Sequence, residues 1–165
     1  MPTPGSIARD FGTGVHKTLE EWLKAYQNNE MPFIEDEYME QAAPIVDWLH
    51  RHECEILDVE ALVYHPTLLY GGQIDCVARR GNSILVCDWK SGKGIYKNAA
   101  AQVAAYALAY TAITGVKVDE GWVLRSGKDG FEAKRIADLD VAGWLFVNLH
   151  SVKENWNKIE WIEEA

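Results

Sequence analysis

Cysteine is scarce in this chain, and what there is does not pair. Cys54, Cys76 and Cys87 are odd in number and show no CxxC spacing, which argues against a disulfide framework or a zinc knot. Also missing is any apolar run near the length of a membrane span, and the N-terminal MPTPGSIARD lacks the apolar centre of a secretory signal. A soluble, cytoplasmic protein without a membrane partner is expected. Positive charge is short as well: 16 Lys and Arg stand against 25 Asp and Glu, a net charge of −9, which by itself disfavours broad adhesion to nucleic acid. There is no internal repeat, linker or low-complexity stretch. With 165 residues, 48% of them hydrophobic, the chain is expected to form one domain over 1–165 with a real core.

What the chain does have is a concentrated centre, GGQIDCVARRGNSILVCDWKSGKGIYKNAAAQVAAYALAY from Gly71 to Tyr110. Two strand-like runs, Gly72–Arg80 and Ser83–Lys90, flank Gly81-Asn82, a pair suited to a two-residue turn with positive φ. If Arg80 faces Ser83, counting outward sets Val77 against Val86 and Asp75 against Asp88. Opposed like charges weaken a sheet, and crowded carboxylates raise one pKa unless a cation joins them. A divalent metal removes both penalties. Lys90 shares the face of Asp88, one side-chain repeat further on, while Trp89 points the other way with Cys76 and Cys87. One side of the sheet is therefore expected to be apolar and the other chemical. A solvated surface hairpin is the alternative, disfavoured because Asp88 and Lys90 lie in the apolar run ILVCDW.

Around this centre, residues 1–11 read as a loose arm and 14–28 as an amphipathic helix, with Val15, Leu19, Trp22, Leu23 and Tyr26 at helical spacing. On it His16 and Glu20 are four apart, a spacing that favours a surface pair. Glu30–Glu37 is an acidic loop or helix start, and Tyr38–Arg51 is a second helix through Pro44 that packs on the sheet or covers the site. Ile56–Tyr64 is a strand with Glu60 on a different face from Val59, Ala61 and Val63. Ser91-Gly92-Lys93-Gly94 is a basic loop, not a P-loop, since GxxxxGK[ST] is absent. Asn98 is a candidate N-cap for the alanine-rich helix Ala99–Thr114, closed by Gly115 and carrying Gln102, Tyr106 and Tyr110 along one face. Val118–Arg125 and Phe131–Ile136 form another hairpin, followed by a closing helix Asp140–Trp156. The acids gather at Glu30–Glu40, Glu53–Glu60 and Glu160–Glu164, whereas Arg79, Arg80, Lys90, Lys93 and Lys97 surround the hairpin, so the field there is expected to be positive.

These residues resemble the PD-(D/E)XK nucleases, and within them the RecB-type exonuclease branch. Asp75 matches the motif aspartate, Asp88-Trp89-Lys90 the (D/E)XK element, Gln102-Val-Ala-Ala-Tyr106 the QxxxY motif and Gly12-Thr-Gly-Val-His16 the helical histidine motif. The resemblance extends to RecB nuclease domains, the mitochondrial genome maintenance exonuclease and the CRISPR-associated adaptation nucleases, although the cysteines for an iron-sulfur cluster are absent. It implies a restriction-endonuclease-like α/β layered domain whose mixed central β-sheet is flanked by helices. It also makes His16 a metal ligand with Asp75, Asp88 and the Trp89 carbonyl, and Glu60 either a supporting ligand or a group behind the ligands; the roles of Glu60 and Glu20 stay open. Carboxylates suit Mg²⁺ and the imidazole favours Mn²⁺. Lys90 would orient or help deprotonate the attacking water, with Gln102 and Tyr106 beside it and Lys93 and Lys97 on the DNA. The implied activity is a DNA exonuclease in recombination, repair or replication, and the small size and net negative charge of the chain add the expectation that it acts on linear DNA at single-stranded or frayed ends. A structure-specific endonuclease and a non-catalytic DNA-binding subunit are the rivals.

Overall fold

The structure, a computed structural model, describes residues 4–32, 36–156 and 158. In chain order it runs α1 (Pro4–Gln27), a 3₁₀ turn (Asp36–Tyr38), α2 (Met39–Arg51), β1 (Glu55–His65), β2 (Tyr70–Arg80) and β3 (Ser83–Lys90). Then follow α3 (Lys97–Thr114), β4 (Glu120–Gly127), β5 (Gly130–Arg135) and α4 (Leu139–Trp156). The five strands form one sheet in the order β1-β2-β3-β4-β5. Only β3 and β4 are parallel, and α3 connects them, as a parallel pair requires a crossover. This is the mixed, helix-flanked sheet expected of a restriction-endonuclease-like fold.

The β2–β3 hairpin has the predicted register, Arg80 against Ser83 through Val77 against Val86 to Cys76 against Cys87. Gly81 alone supplies the positive φ of the turn, 58°, which suits a turn with glycine at its first central position. Beyond Cys76 the ladder stops. Asp75 is one step past its end, and the Trp89 amide donates to Asp75 Oδ2 (2.6 Å) instead of to a strand carbonyl.

The division into an apolar and a chemical side does not hold. Both faces of the sheet are packed. Val15, Leu19 and Leu23 of α1 and Ile45, Trp48 and Leu49 of α2 cover Cys76, Cys87, Trp89 and Leu124 on one face. Ala99, Val103 and Ala107 of α3 cover Ile74, Val77, Val86 and Val123 on the other, and α4 lies on α3. The chemistry is at the margin where this second layer ends.

Two strands change sides at that margin. Val59 and Cys76, paired across β1 and β2, belong to the core under α1 and α2, while the next pair, Ala61 and Ile74, belongs to the core under α3. Between them lie Glu60 and Asp75. Glu60 takes φ 55°, a left-handed conformation uncommon for a non-glycine residue and typical of functional margins. A regular period of two would have kept Val59 and Ala61 together.

Other departures are local. The arm expected over 1–11 is helical from Pro4, the residue type favoured in a first helical turn. Gly5, Gly12 and Gly14 are poor helix formers and mask that half of α1 in the sequence. Tyr96, not Asn98, occupies the N-cap of α3, while Gly115 closes it at φ 72° as expected. The second helix packs on the first and on β4 of the sheet, the first of its two expected positions. Residues 33–35 of the acidic loop and the acidic tail 160–164 lie outside the described residues. All three cysteines are buried free thiols, with burial raising the pKa of Cys54, Cys76 and Cys87. No described helix is long and apolar enough to cross a membrane.

Candidate active site and metal centre

An open cleft of about 540 Å³ lies over the end of β2 and β3 and is lined by residues that include His16, Glu20, Glu60, Asp75, Asp88, Lys90, Gln102 and Tyr106. Four separate elements deliver these side chains: α1, β1, the hairpin and α3. A wider cleft of about 690 Å³ near Tyr26 and His50 gathers no comparable set of acids around a base, and its Glu55 is tied to Arg79.

α1 reaches the cleft because its glycines let it come close. A Cβ at Gly12 would stand 2.7 Å from Ser91 Oγ, and one at Gly14 would enter the Tyr38 ring at 2.4 Å. That approach brings His16 Nδ1 to 3.4 Å from Asp75 Oδ1, so the histidine is paired with Asp75 and not with Glu20, which is bound to Lys24. Burial alone would lower the imidazole pKa, but the Asp75 hydrogen bond and the charges of Asp75 and Asp88 outweigh it and raise it above 6.5.

His16, Glu60 and Asp75 each offer a ligand atom, and these three atoms lie within 4.8 Å of one another. Glu60, the least regular residue of β1, is thus inside the cluster. Its pKa is raised by burial first, then by the charges of Asp75 and Glu20. Asp88 lines the same cleft outside that trio. It is 4% exposed, and its Oδ2 is 2.7 Å from Lys90 Nζ, a contact too poorly aligned to make a hydrogen bond of good geometry. Desolvation, then the Asp75 charge, pushes the Asp88 carboxyl up to about 6. An imidazole nitrogen, converging carboxylates and an under-satisfied buried carboxylate oxygen fit a divalent cation well. Trp89 meets the site through its amide on Asp75, whereas the expectation from the resemblance concerned its carbonyl.

Lys90 is held on its other side by Gln102 Oε1 at 3.2 Å. Gln102 Nε2 in turn donates to the Tyr106 hydroxyl at 2.9 Å, so the i,i+4 spacing on α3 fixes which end of the amide faces the lysine. The Tyr106 ring lies against Gly72, where a Cβ would be 2.2 Å from Cε1. Lys93 and Lys97 sit in the loop after β3 and at the first residue of α3, and neither lines the cleft. Arg79 and Arg80 are at the turn end of the hairpin and are paired with Glu55 and Glu120, so they do not make the field there positive.

Sequence reasoning missed Thr13, Lys17 and Gln73 in the lining, and it missed Arg125. This arginine, 6% exposed, donates to the Gly92 carbonyl at 2.9 Å and pairs with Asp129, fixing the loop that leaves Lys90. Lys17 stands one residue after His16 and Gln73 two before Asp75, which was the available signal; nothing local marked Arg125.

The model of the PD-(D/E)XK nuclease superfamily matches residues 2–141 of the chain. The chain belongs to the PD-(D/E)XK nuclease superfamily. Asp75, Asp88 and Lys90 line the cleft together with the helical His16 and with Gln102 and Tyr106, an arrangement consistent with the RecB-type branch. Among solved structures it is similar to a candidate exonuclease from Eubacterium rectale, with a TM-score of 0.51 at 10% identity, covering 87% of this chain and 65% of that one. It is also similar to the protein SSO0001, with a TM-score of 0.41 at 16% identity over 69% of this chain and 56% of that one. A third is the alkaline exonuclease LHK-Exo from Laribacter hongkongensis, with a TM-score of 0.38 at 12% identity over 86% of this chain and 82% of that one. The likeness to the Eubacterium rectale protein is one of fold. The chain spans less than two thirds of the length of that protein and of SSO0001. No curated protein sequence matches it.

The raised Asp88 pKa carries a sign that can be tested in metal-free protein. A carboxyl titrating near 6 when folded and near 3.8 when unfolded binds its proton more tightly in the folded state, so stability falls as pH rises between those values. The cost is then constant at higher pH, on the order of 3 kcal/mol. In EDTA, Asp88→Asn is expected to unfold at higher temperature than the parent at pH 7.5 and to lose that advantage near pH 4. Thermal unfolding at the two pH values checks it, and an equal difference at both would reject Asp88 as the source.

Proposed function

We propose that this chain is a divalent-metal-dependent deoxyribonuclease that hydrolyses phosphodiester bonds from DNA ends. The observation that carries this is the convergence of His16, Glu60 and Asp75 within 4.8 Å, with Lys90 held beside them by Asp88 and Gln102. When bound, a Mg²⁺ or Mn²⁺ ion supplies a water of lowered pKa and neutralises charge growing on the phosphate. His16, Asp75 and Asp88, with Glu60, are the residues that would hold it, and the Trp89 carbonyl is a further candidate.

The chain's own groups divide the remaining work. Lys90 Nζ orients the attacking water and offsets the charge of the five-coordinate phosphorus as the P–O bond breaks. Gln102 keeps that head group from swinging away, and Tyr106 keeps the Gln102 amide from turning over. The buried floor of Trp89, Cys76 and Cys87 holds Asp75 and Asp88 at fixed separation and keeps water from beneath them.

An exonuclease acting on single-stranded or frayed ends is the reading we favour. The cleft is open, its described cations are few, and the net charge of −9 disfavours wide adhesion to a duplex. Tyr106 at its rim offers a face for a base. Lys93 and Lys97, next along the chain, would meet the strand outside the cleft. With Mg²⁺ or Mn²⁺, linear single strands are expected to be digested to short products, linear duplex more slowly and covalently closed circles not at all, with EDTA stopping the reaction. Linearisation of closed circles as fast as linear single strands disappear would replace this reading with the endonuclease one. Full inactivity on every substrate would leave the non-catalytic subunit.

A further inference from the structure

The last helix has two apolar faces, and the fold uses one. Toward α3, Gly143 packs against Leu108, and Phe146 and His150 form an aromatic cluster with Tyr70. His150 Nε2 also meets the Leu68 carbonyl at 3.1 Å, so the rotation of α4 about its axis is fixed. This leaves Val141, Trp144, Leu145, Leu149, Val152 and Trp156 outward, between 47% and 68% exposed. At 100° per residue, Val141, Leu145, Leu149, Val152 and Trp156 fall within one narrow stripe, with Trp144 at its edge. Chance exposure of single apolar residues is ordinary, but a continuous stripe with two tryptophans is not.

We infer that this stripe is the interface of a homodimer, in which α4 of one copy packs antiparallel against α4 of a second copy of this chain. The area supports this. The six side chains expose on the order of 600 Å² of apolar surface, at the upper limit for a free monomer patch and close to the roughly 800 Å² per partner of a standard interface. A stripe along a single helix is self-complementary under a two-fold axis, which is the requirement for an isologous dimer. The backbone dipoles select the direction: antiparallel packing sets the negative C-terminal end of each helix beside the positive N-terminal end of the other. The axis would pass near Asn148, midway between Val141 and Trp156. The cleft is lined by α1, β1, β2, β3 and α3 residues, and α4 contributes none, so pairing leaves both sites open.

Sedimentation of the chain over a concentration series tests the dimer, and a single cysteine tests its geometry. The parent is expected to be dimeric at about 10 µM, and Trp144→Glu with Leu149→Glu to be monomeric with an unchanged circular dichroism spectrum. Both substitutions fall on exposed side chains, so the fold should tolerate them. Because Cys54, Cys76 and Cys87 are buried, Asn148→Cys supplies an accessible thiol and should cross-link to its own copy on mild oxidation, whereas Lys153→Cys, away from the axis, should not. A parent that stays monomeric through the series would overturn the inference and assign the stripe to residues 157–165 or to a different protein. A dimer that survives the double substitution, or one cross-linked equally through both cysteines, would overturn it as well.

Discussion

Asp75→Ala is expected to lower DNA cleavage by about a thousandfold or more, the scale lost when the electrostatic centre of a site is removed, and to abolish measurable Mn²⁺ binding. One oxygen of Asp75 faces His16 Nδ1, the other accepts the Trp89 amide at 2.6 Å, and the residue belongs to the trio that fits a cation. Removing it has opposed effects on the metal-free fold. The buried Trp89 N–H loses its acceptor, typically about 1–3 kcal/mol, while Asp88 and Glu60 lose a neighbouring negative charge. Asp75→Asn separates the two, since its amide oxygen can still accept from Trp89. Both variants are therefore expected to fold in EDTA, the Asn variant at least as stably as the parent. Calorimetric titration with Mn²⁺ decides: heat of binding retained in both variants would remove Asp75 from the site.

Lys90→Ala should behave differently, losing about a hundred- to a thousandfold in rate, the usual share of a positioned proton-transfer group, while binding the cation as well as the parent does. Its amine touches Asp88 Oδ2 and Gln102 Oε1, and it lies outside the converging ligand trio. His16→Ala is the informative contrast. Loss of one nitrogen donor should weaken the metal and leave the machinery around the phosphate in place, so raised Mn²⁺ should restore much of its rate. If high Mn²⁺ rescued Lys90→Ala and not His16→Ala, the two roles would have to be exchanged.

How much of this could be read from the residues alone depended on whether the local pattern was regular. The β2–β3 register followed from Gly81-Asn82 and from strict alternation around it, and with it the inward direction of Cys76, Trp89 and Cys87. The order of strands and helices was legible for the same reason, since each element carries its own period and stop signal, as Gly115 does for α3. Glu60 was harder. Its left-handed backbone breaks the alternation that sequence reading assumes, so the strand looked ordinary at the residue where it changes faces. The early start of α1 was hidden because its glycines, which permit close approach to Ser91 and Tyr38, are the residues that weaken a helical signal. The positive field assigned to Arg79 and Arg80 failed for a different reason. Their partners, Glu55 and Glu120, are 24 and 40 residues away, and such pairing is set by strand order.

One feature of the architecture ties folding to ligand. Every other side chain in the converging trio comes from the sheet, whereas His16 arrives on α1, a helix that must dock before the imidazole can join Glu60 and Asp75. Any cation gripped by all three groups therefore binds the docked arrangement more tightly than the undocked one. By reciprocity, whatever free energy the cation gains from the histidine is returned as docking stability of the helix, and weakening the seat of α1, for example at Gly12 or Gly14, weakens metal affinity without touching a ligand. The two glycines and the histidine two residues beyond the second would thus form a single thermodynamic unit, in which the fit of a helix against a loop sets the occupancy of the proposed ion site.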